Sequence, residues 1–400
     1  MFDLVEYKIA IQFMGLSMCL FMALFLFMDS QDKTSTTKSP RRFLSGFLLV
    51  YSTTFFDELF ISSSMNSTYP YLYGIFISIY FLMGPFLYFY VRDTCSLNSY
   101  TLIRPRLKHF SGFLASIILL VPFFLLPQEE KQLIFSENVI GSSEALLPWV
   151  AILGLLSVHV LLLFQVLFYL VQSFRVLLRY FDNLKEFFSN IEDNRLGWLR
   201  LLILVLSLSW AVYTYVALRA WPNTIDETIK VSISLMNVAI IYFISFQGLR
   251  QNAVFRDRIE IKAVKNIKNK SNKQKYAKSA LDDEDTNRIF EKLQLALLAD
   301  ELYSDSMLSL RGLSDHTKIS SNYISQVINQ KTDSHFFDFI NHFRVNAAME
   351  RLGDEHEKNS ILDIAYSVGF NSKSTFNTAF KRQTGLTPSE FRKNKQDSFE

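Results

Sequence analysis

Residues 361–392 read ILDIAYSVGFNSKSTFNTAFKRQTGLTPSEFR, close to the end of a 400-residue chain whose first 250 residues are dominated by apolar runs. Within this stretch Ile364, Ala365, Phe370, Phe376, Ala379 and Phe380 recur at helical spacing, interrupted by a break around Gly369. That pattern predicts a short helix, a tight turn and a second helix. Gly369 suits the turn, because a helix–turn–helix often needs a positive φ there. On the second helix Phe376, Ala379 and Phe380 would pack inward. Lys373, Asn377 and Lys381 follow at steps of four on the other side.

The same plan occurs about 51 residues earlier, in LRGLSDHTKISSNYISQVIN (310–329). Leu313 matches Ile364, Ser314 matches Ala365, Ile319 matches Phe370 and, with one extra residue after the turn, Ile324 matches Phe376. Ile324, Val327 and Ile328 would face inward, leaving Asn322, Ser325, Gln326 and Asn329 on the outer stripe. Lys318 occupies the place of Gly369 without glycine's conformational ease, a local misfit. Between the units, FFDFINHFRVNAAMERL (336–352) reads as a connecting helix burying Phe336, Phe339, Ile340, Phe343 and Ala347. Upstream, NRIFEKLQLALLADELY puts Ile289, Leu293 and Leu297 on one helical face.

Polar stripes of this kind have a chemistry. Asn and Gln bond adenine edges in pairs, and Lys reaches guanine or phosphate, so a helix presenting them fits a major groove. A helix–turn–helix outline alone also describes many helices whose polar faces are merely solvated. The run IA-x-x-VGF-x-S-x-S-x-F-x-x-x-F-x-x-x-TG-x-TP-x-x-x-R is more specific. It is met by Ile364, Ala365, Val368, Gly369, Phe370, Ser372, Ser374, Phe376, Phe380, Thr384, Gly385, Thr387, Pro388 and Arg392. Over roughly 290–395 the tail resembles the DNA-binding domain of the AraC/XylS family of bacterial regulators.

The resemblance implies a domain of seven helices, with two helix–turn–helix units (about 310–330 and 361–384) that bind successive major grooves of duplex promoter DNA. The family's base-reading positions fall on Asn322, Ser325, Gln326 and Asn329, and on Lys373, Ser374, Asn377 and Thr378; Lys381 and Arg382 add positive charge beside them. Two positions depart from the family. Thr378 stands where Arg is frequent, and Asp333 where Gly usually follows the first unit. Residues 286–400 carry fourteen Lys or Arg and fifteen Asp or Glu, yet 364–389 carry Lys373, Lys381 and Arg382 and no acid. A lone domain is therefore expected to bind weakly, the second unit contributing most and a homodimer supplying the rest.

The remainder of the chain is of another kind. Seven apolar stretches near 9–28, 43–61, 70–91, 110–127, 148–171, 199–218 and 230–249 are long enough for membrane helices. The first follows MFDLVEYK, with two acids and one lysine, and is not expected to be a cleaved signal. Loops 29–42, 92–109 and 172–198 hold four Lys or Arg each, while 62–69, 128–147 and 219–229 hold none, one and one. That alternation places the N-terminus outside and the C-terminal part in the cytoplasm of a bacterial inner membrane. Pro85 in MGPF (83–86) should kink the third span. Ten Lys or Arg in 250–278 then form a basic juxtamembrane segment, suited to anionic lipid or equally a solvated linker that completes the positive-inside pattern.

The expected fold class is all-α: residues 1–249 a seven-helix transmembrane bundle with a sensing role, 250–285 a basic linker, and 286–395 an AraC-type DNA-binding domain. Polar residues inside the spans, Asp57, Glu58, His159 and Asn237, are candidates for a signal pocket taking a small molecule or protein. The competing reading makes them headgroup-level charges and helix-to-helix hydrogen bonds. Cys19 and Cys95 do not make a disulfide framework, and no ligand spacing implies a metal or cofactor. No nucleophile set or phosphate loop accompanies the polar residues, so the chain reads as a regulator and not an enzyme. The alternatives are a transporter or membrane enzyme with an appended regulatory module, and a receptor whose tail binds only protein.

Overall fold

A computed structural model describes residues 4–30, 38–62, 68–69, 71–95, 107–134, 146–191, 196–219, 227–250 and 282–397. Most of the basic run at 250–278 lies outside them. Among the described residues every regular element is helical, and one isolated antiparallel bridge joins Phe188 to Ser309. The chain divides into two compact units, one formed by Met1–Leu177 with Leu196–Phe255 and the other by Leu178–Arg195 with Arg256–Glu400.

The first unit contains α1 (Leu4–Asp29), α2 (Lys38–Ser62), α3 (Tyr71–Tyr80), α4 (Met83–Cys95), α5 (Ser111–Leu125), α6 (Gln128–Ile134), most of α7 (Leu146–Lys185), α8 (Gly197–Arg219) and α9 (Glu227–Arg250). Seven helical stretches among the described residues have the length and apolarity to cross a membrane: Glu6–Asp29, Pro40–Phe60, Gly74–Cys95, Lys108–Leu125, Leu146–Lys185, Gly197–Tyr215 and Thr228–Leu249. Their outward faces are apolar as well; Phe21, Ile118, Phe164 and Leu208 are each about two-thirds exposed.

The third stretch breaks at Phe81 and Leu82, between α3 and α4, about one turn before Pro85. A proline disturbs the helix at its missing i→i−4 bond, and here that bond would end on the Phe81 carbonyl. The Gln165 amide of α7 donates to that oxygen instead, at 2.9 Å. Nearby, α5 and α7 approach closely at Gly154, where a Cβ would lie 2.5 Å from the Leu119 carbonyl oxygen.

α7 is 40 residues long and runs well past the expected end of the fifth span at 171. Its charged extension looked like a loop, but Leu177, Tyr180 and Leu184 are buried along one face. The last turns, from Leu178 onward, belong to the second unit.

That unit also contains α10 (Asp283–Ala299), a 3₁₀ turn (Leu302–Ser304), α11 (Leu310–Thr317), α12 (Ser321–Thr332), α13 (Phe336–Leu352), α14 (Ile361–Ser367), α15 (Lys373–Thr384) and α16 (Pro388–Gln396). α13 is the axle. Its buried i→i+4 row runs Phe336, Ile340, Arg344, Ala348, Leu352, and α12, α14, α15 and α16 all pack against it. Ala348 takes the fully buried place expected of Ala347, which is only half-buried, because the row on this face passes through Arg344. Around the second unit's turn, Val345, Ala348, Leu352, Ile364, Ala365, Val368, Phe370, Phe376, Ala379 and Phe380 form one closed core.

Candidate nucleic-acid interface

Each candidate reading helix starts on a serine. Ser320 accepts the Tyr323 amide at the head of α12, and Ser372 accepts the Thr375 amide at 3.2 Å at the head of α15. Such caps stabilise a helix by about 1 kcal/mol each. The helix before each turn is capped too, by Ser309 for α11 and by a Ser360–Asp363 capping box for α14.

Both turns use the left-handed region. Gly369 has φ +96° and Lys318 φ +59°, so the lysine does occupy the conformation that glycine takes more easily. Asp333, the other departure from the family pattern, closes α12 with φ +48°. The Ser314 hydroxyl donates to the Ile319 carbonyl at 2.6 Å and fastens the first turn. In the second, the Phe370 amide donates to the Ala365 carbonyl at 3.0 Å.

On α12, Ile324, Val327 and Ile328 are buried. Opposite them Gln326 and Asn329 are exposed, with Asn322 and Ser325 half-buried on the same side. On α15, Phe376, Ala379 and Phe380 are buried. Lys373, Ser374, Thr378 and Lys381 are exposed, and Asn377 is half-buried between them. Thr378 donates its hydroxyl to the Ser374 carbonyl at 2.8 Å. Its hydroxyl proton is thereby engaged, leaving the oxygen as an acceptor and the methyl group for contacts.

Arg382 is held differently from its neighbours. Its guanidinium pairs with Asp338 on α13 at 2.6 Å, and Gln383 next to it bonds Asn346 on the same helix at 2.6 Å. These surface ties link α15 to the connecting helix and turn Arg382 toward α13, while its side chain stays 61% exposed.

Sequence reasoning missed Arg344. It is 1% exposed, with Nε on the Tyr303 carbonyl at 2.8 Å, Nη1 on the Ser189 carbonyl and Asn341 Oδ1, and Nη2 on Ser189 Oγ and the Asp305 carbonyl, both at 2.9 Å. All five N–H donors are used. Burial pulls the guanidinium down to about 10, with Asp305 opposing, so it stays cationic at neutral pH. The signal was present in the sequence as a charge at the centre of an apolar i→i+4 row.

Of the four polar candidates of the first unit, three make helix-to-helix contacts. Asp57 accepts the Tyr80 hydroxyl at 2.7 Å, Glu58 pairs with Lys8, and Asn237 accepts the Tyr51 hydroxyl at 2.9 Å. His159 lies 2.7 Å from the Leu155 carbonyl of its own helix. Among the described residues no group of His, Cys, Asp and Glu is arranged to hold a metal.

Residues 313–394 match the family described as "Helix-turn-helix domain". The C-terminal part of this chain is an AraC-type helix–turn–helix domain. Three curated relatives are similar to it. The melibiose operon regulatory protein of Escherichia coli (strain K12) is 30% identical over 89 residues, 22% of this chain and 29% of that one. The uncharacterized transcriptional regulatory protein YesN of Bacillus subtilis (strain 168) is 30% identical over 100 residues, 25% and 27% of the two chains. The HTH-type transcriptional activator RhaR of Escherichia coli O1:K1 / APEC is 27% identical over 121 residues, 30% and 41%. The match thus spans less than half of each relative.

Proposed function

We propose that this chain is a membrane-anchored one-component transcription regulator. Its AraC-type domain reads duplex promoter DNA through α12 and α15, using Asn322, Ser325, Gln326 and Asn329, and Lys373, Ser374, Asn377, Thr378 and Lys381. Arg382, occupied by Asp338, serves mainly to orient α15. The observation that carries this reading is the pair of serine-capped helices, each burying an apolar row and exposing a polar stripe, on one connecting helix. Seven helices span the cytoplasmic membrane in contact with lipid, the N-terminus outside and the domain inside. The two-thirds exposure of Phe21, Ile118, Phe164 and Leu208 supports a lipid-facing surface. The regulator acts as a homodimer and answers a signal taken up by the membrane part. The engagement of Asp57, Glu58 and Asn237 by Tyr80, Lys8 and Tyr51 favours interior glue over a transport path.

Mapping the chromosomal sites bound by the full chain tests the reading. Lys373→Ala with Asn377→Ala should empty those sites while the protein stays in the membrane. Unchanged occupancy would refute DNA reading by α15. An alkaline phosphatase fused after Glu400 should be inactive, and activity there would place the domain outside the cell.

A further inference from the structure

Resting on that functional reading, we infer that residues 186–191, which leave the helix carrying the fifth span, form a strap. Its docking on the AraC-type domain holds both helix–turn–helix units in their DNA-competent form, so a change in that helix reaches the reading helices through Ser189 and Arg344.

The strap and the domain belong to one compact unit. Leu310 donates its amide to the Phe187 carbonyl at 2.9 Å, and Ser189 donates its amide to the Leu308 carbonyl at 3.2 Å. The Ser189 hydroxyl donates to the same carbonyl at 2.6 Å. These bonds frame the Phe188–Ser309 bridge, and Ser309 is the residue that caps α11, the first helix of the first unit. Phe187, Ser189 and Ile191 are all buried. A loop that merely connected two spans would be expected to leave such groups in water.

Arg344 extends the connection to the second unit. Two of its five bonds end on Ser189, and two others on the Tyr303 and Asp305 carbonyls just before α11. Its guanidinium carbon lies 5.7 Å from the centre of the Phe370 ring, at the second turn. Beside it, Gly369 approaches the Tyr303 and Ser304 carbonyls so closely that a Cβ there would lie 2.6 Å from the former. One buried cation therefore joins the strap, the turn before the first unit, the connecting helix and the turn of the second. Lifting the strap leaves two donors of that cation without acceptors in an apolar surround. Such a state is strongly disfavoured unless the surround opens to water. Undocking accordingly loosens 302–310 and 369–370 together.

The test uses the full chain in nanodiscs, with Cys19 and Cys95 replaced by alanine. Ser189→Pro removes the amide and the hydroxyl that hold the strap. It should raise amide exchange at 302–313 and at 366–372, and weaken promoter binding about tenfold, the scale of one lost hydrogen bond to a charged group. Phe188→Cys with Ser309→Cys places thiols at a non-hydrogen-bonded antiparallel pair, where Cα atoms lie roughly 4.5 Å apart, within disulfide range. Oxidised, this pair should return Ser189→Pro part of the way to slow exchange and tight binding, because the carbonyl at 189 meets Arg344 again while the hydroxyl stays missing, and reduction should reverse the rescue. Ser309→Cys alone controls for the lost helix cap. Faster exchange confined to 186–191, or no rescue on oxidation, overturns the strap. If the unaltered chain binds no duplex DNA, the functional reading falls, and the exchange at 366–372 alone decides whether the strap governs the domain.

Discussion

Gly369 and Lys318 hold equivalent places in the two turns, and their surroundings make opposite demands on a side chain. Gly369, at φ +96°, faces the Tyr303 and Ser304 carbonyl oxygens so closely that an alanine Cβ would lie 2.6 Å from one and 2.8 Å from the other. Both are backbone atoms that cannot swing away. Gly369→Ala should therefore destabilise the domain by about 3 kcal/mol, read as faster amide exchange across α14 and α15; a loss under about 1 kcal/mol would contradict the close approach. Lys318 at φ +59° already tolerates the left-handed region, at a strain of roughly 1–2 kcal/mol for a residue with a Cβ. Glycine removes that strain but gives the unfolded chain more freedom, which offsets about half of the gain. Lys318→Gly should thus stabilise by about 0.5 kcal/mol in a urea titration followed at α11 and α12, without touching α15. A destabilisation would mean that the lysine side chain has a structural partner.

At the scale of elements, those built on a single periodicity were the legible ones. The connecting helix expected at 336–352 is α13, Phe336–Leu352, since its apolar residues fall at helical spacing. Both candidate reading helices were visible for the same reason. The strap was not, because a bridge between Phe188 and Ser309 joins positions 121 apart and leaves no repeat in either segment. The extension of α7 was hidden by Arg175, Arg179, Asp182 and Lys185, which resemble a charged loop until Leu177, Tyr180 and Leu184 are seen to align. The turn leading into α14 depended on one carboxylate that sequence reading passed over. Glu357 accepts the Asn359 amide at 3.0 Å and pairs with Arg351 at 2.8 Å, while Arg392 bonds the Glu357 and Asn359 carbonyls. The Asn359 amide and then Arg351 hold the Glu357 carboxyl below the ordinary value of 4.5. A carboxylate depressed in the folded state lends stability that is complete above its unfolded value and fades as pH falls through the lowered one. The Asn359 amide resonance of the full chain, followed by selective ¹⁵N labelling, should accordingly titrate with a midpoint below 4.5. A midpoint at or above that value would show that the tie is not formed.

For the molecule as a whole, the balance of charge decides how it must use DNA. Residues 286–400 carry fourteen basic and fifteen acidic side chains, so the domain has no broad positive field to draw in a phosphate backbone. What remains is local: Lys373, Lys381 and Arg382 all stand exposed on α15, Arg382 with its guanidinium paired to Asp338. A protein with few phosphate contacts binds with a shallow salt dependence, the logarithmic slope being about −0.9 for each contact. Full-length protein in nanodiscs should give a slope of roughly −2 to −4 on a duplex carrying one site, with affinity no tighter than about micromolar near physiological salt. For the proposed homodimer, a duplex with two sites in phase should bind far more tightly, since the second domain then adds as an intramolecular step. Lys381→Ala should reduce the slope by about one and weaken all sequences alike, whereas Asn377→Ala should leave the slope and relax base preference at one position. Arg382→Ala separates the structural reading from the sequence reading most sharply. If Asp338 keeps that side chain on α13, the slope changes less than with Lys381→Ala, and the effect appears as lost order in α15. An equal or larger change in slope would return Arg382 to the phosphate backbone and remove its positioning role.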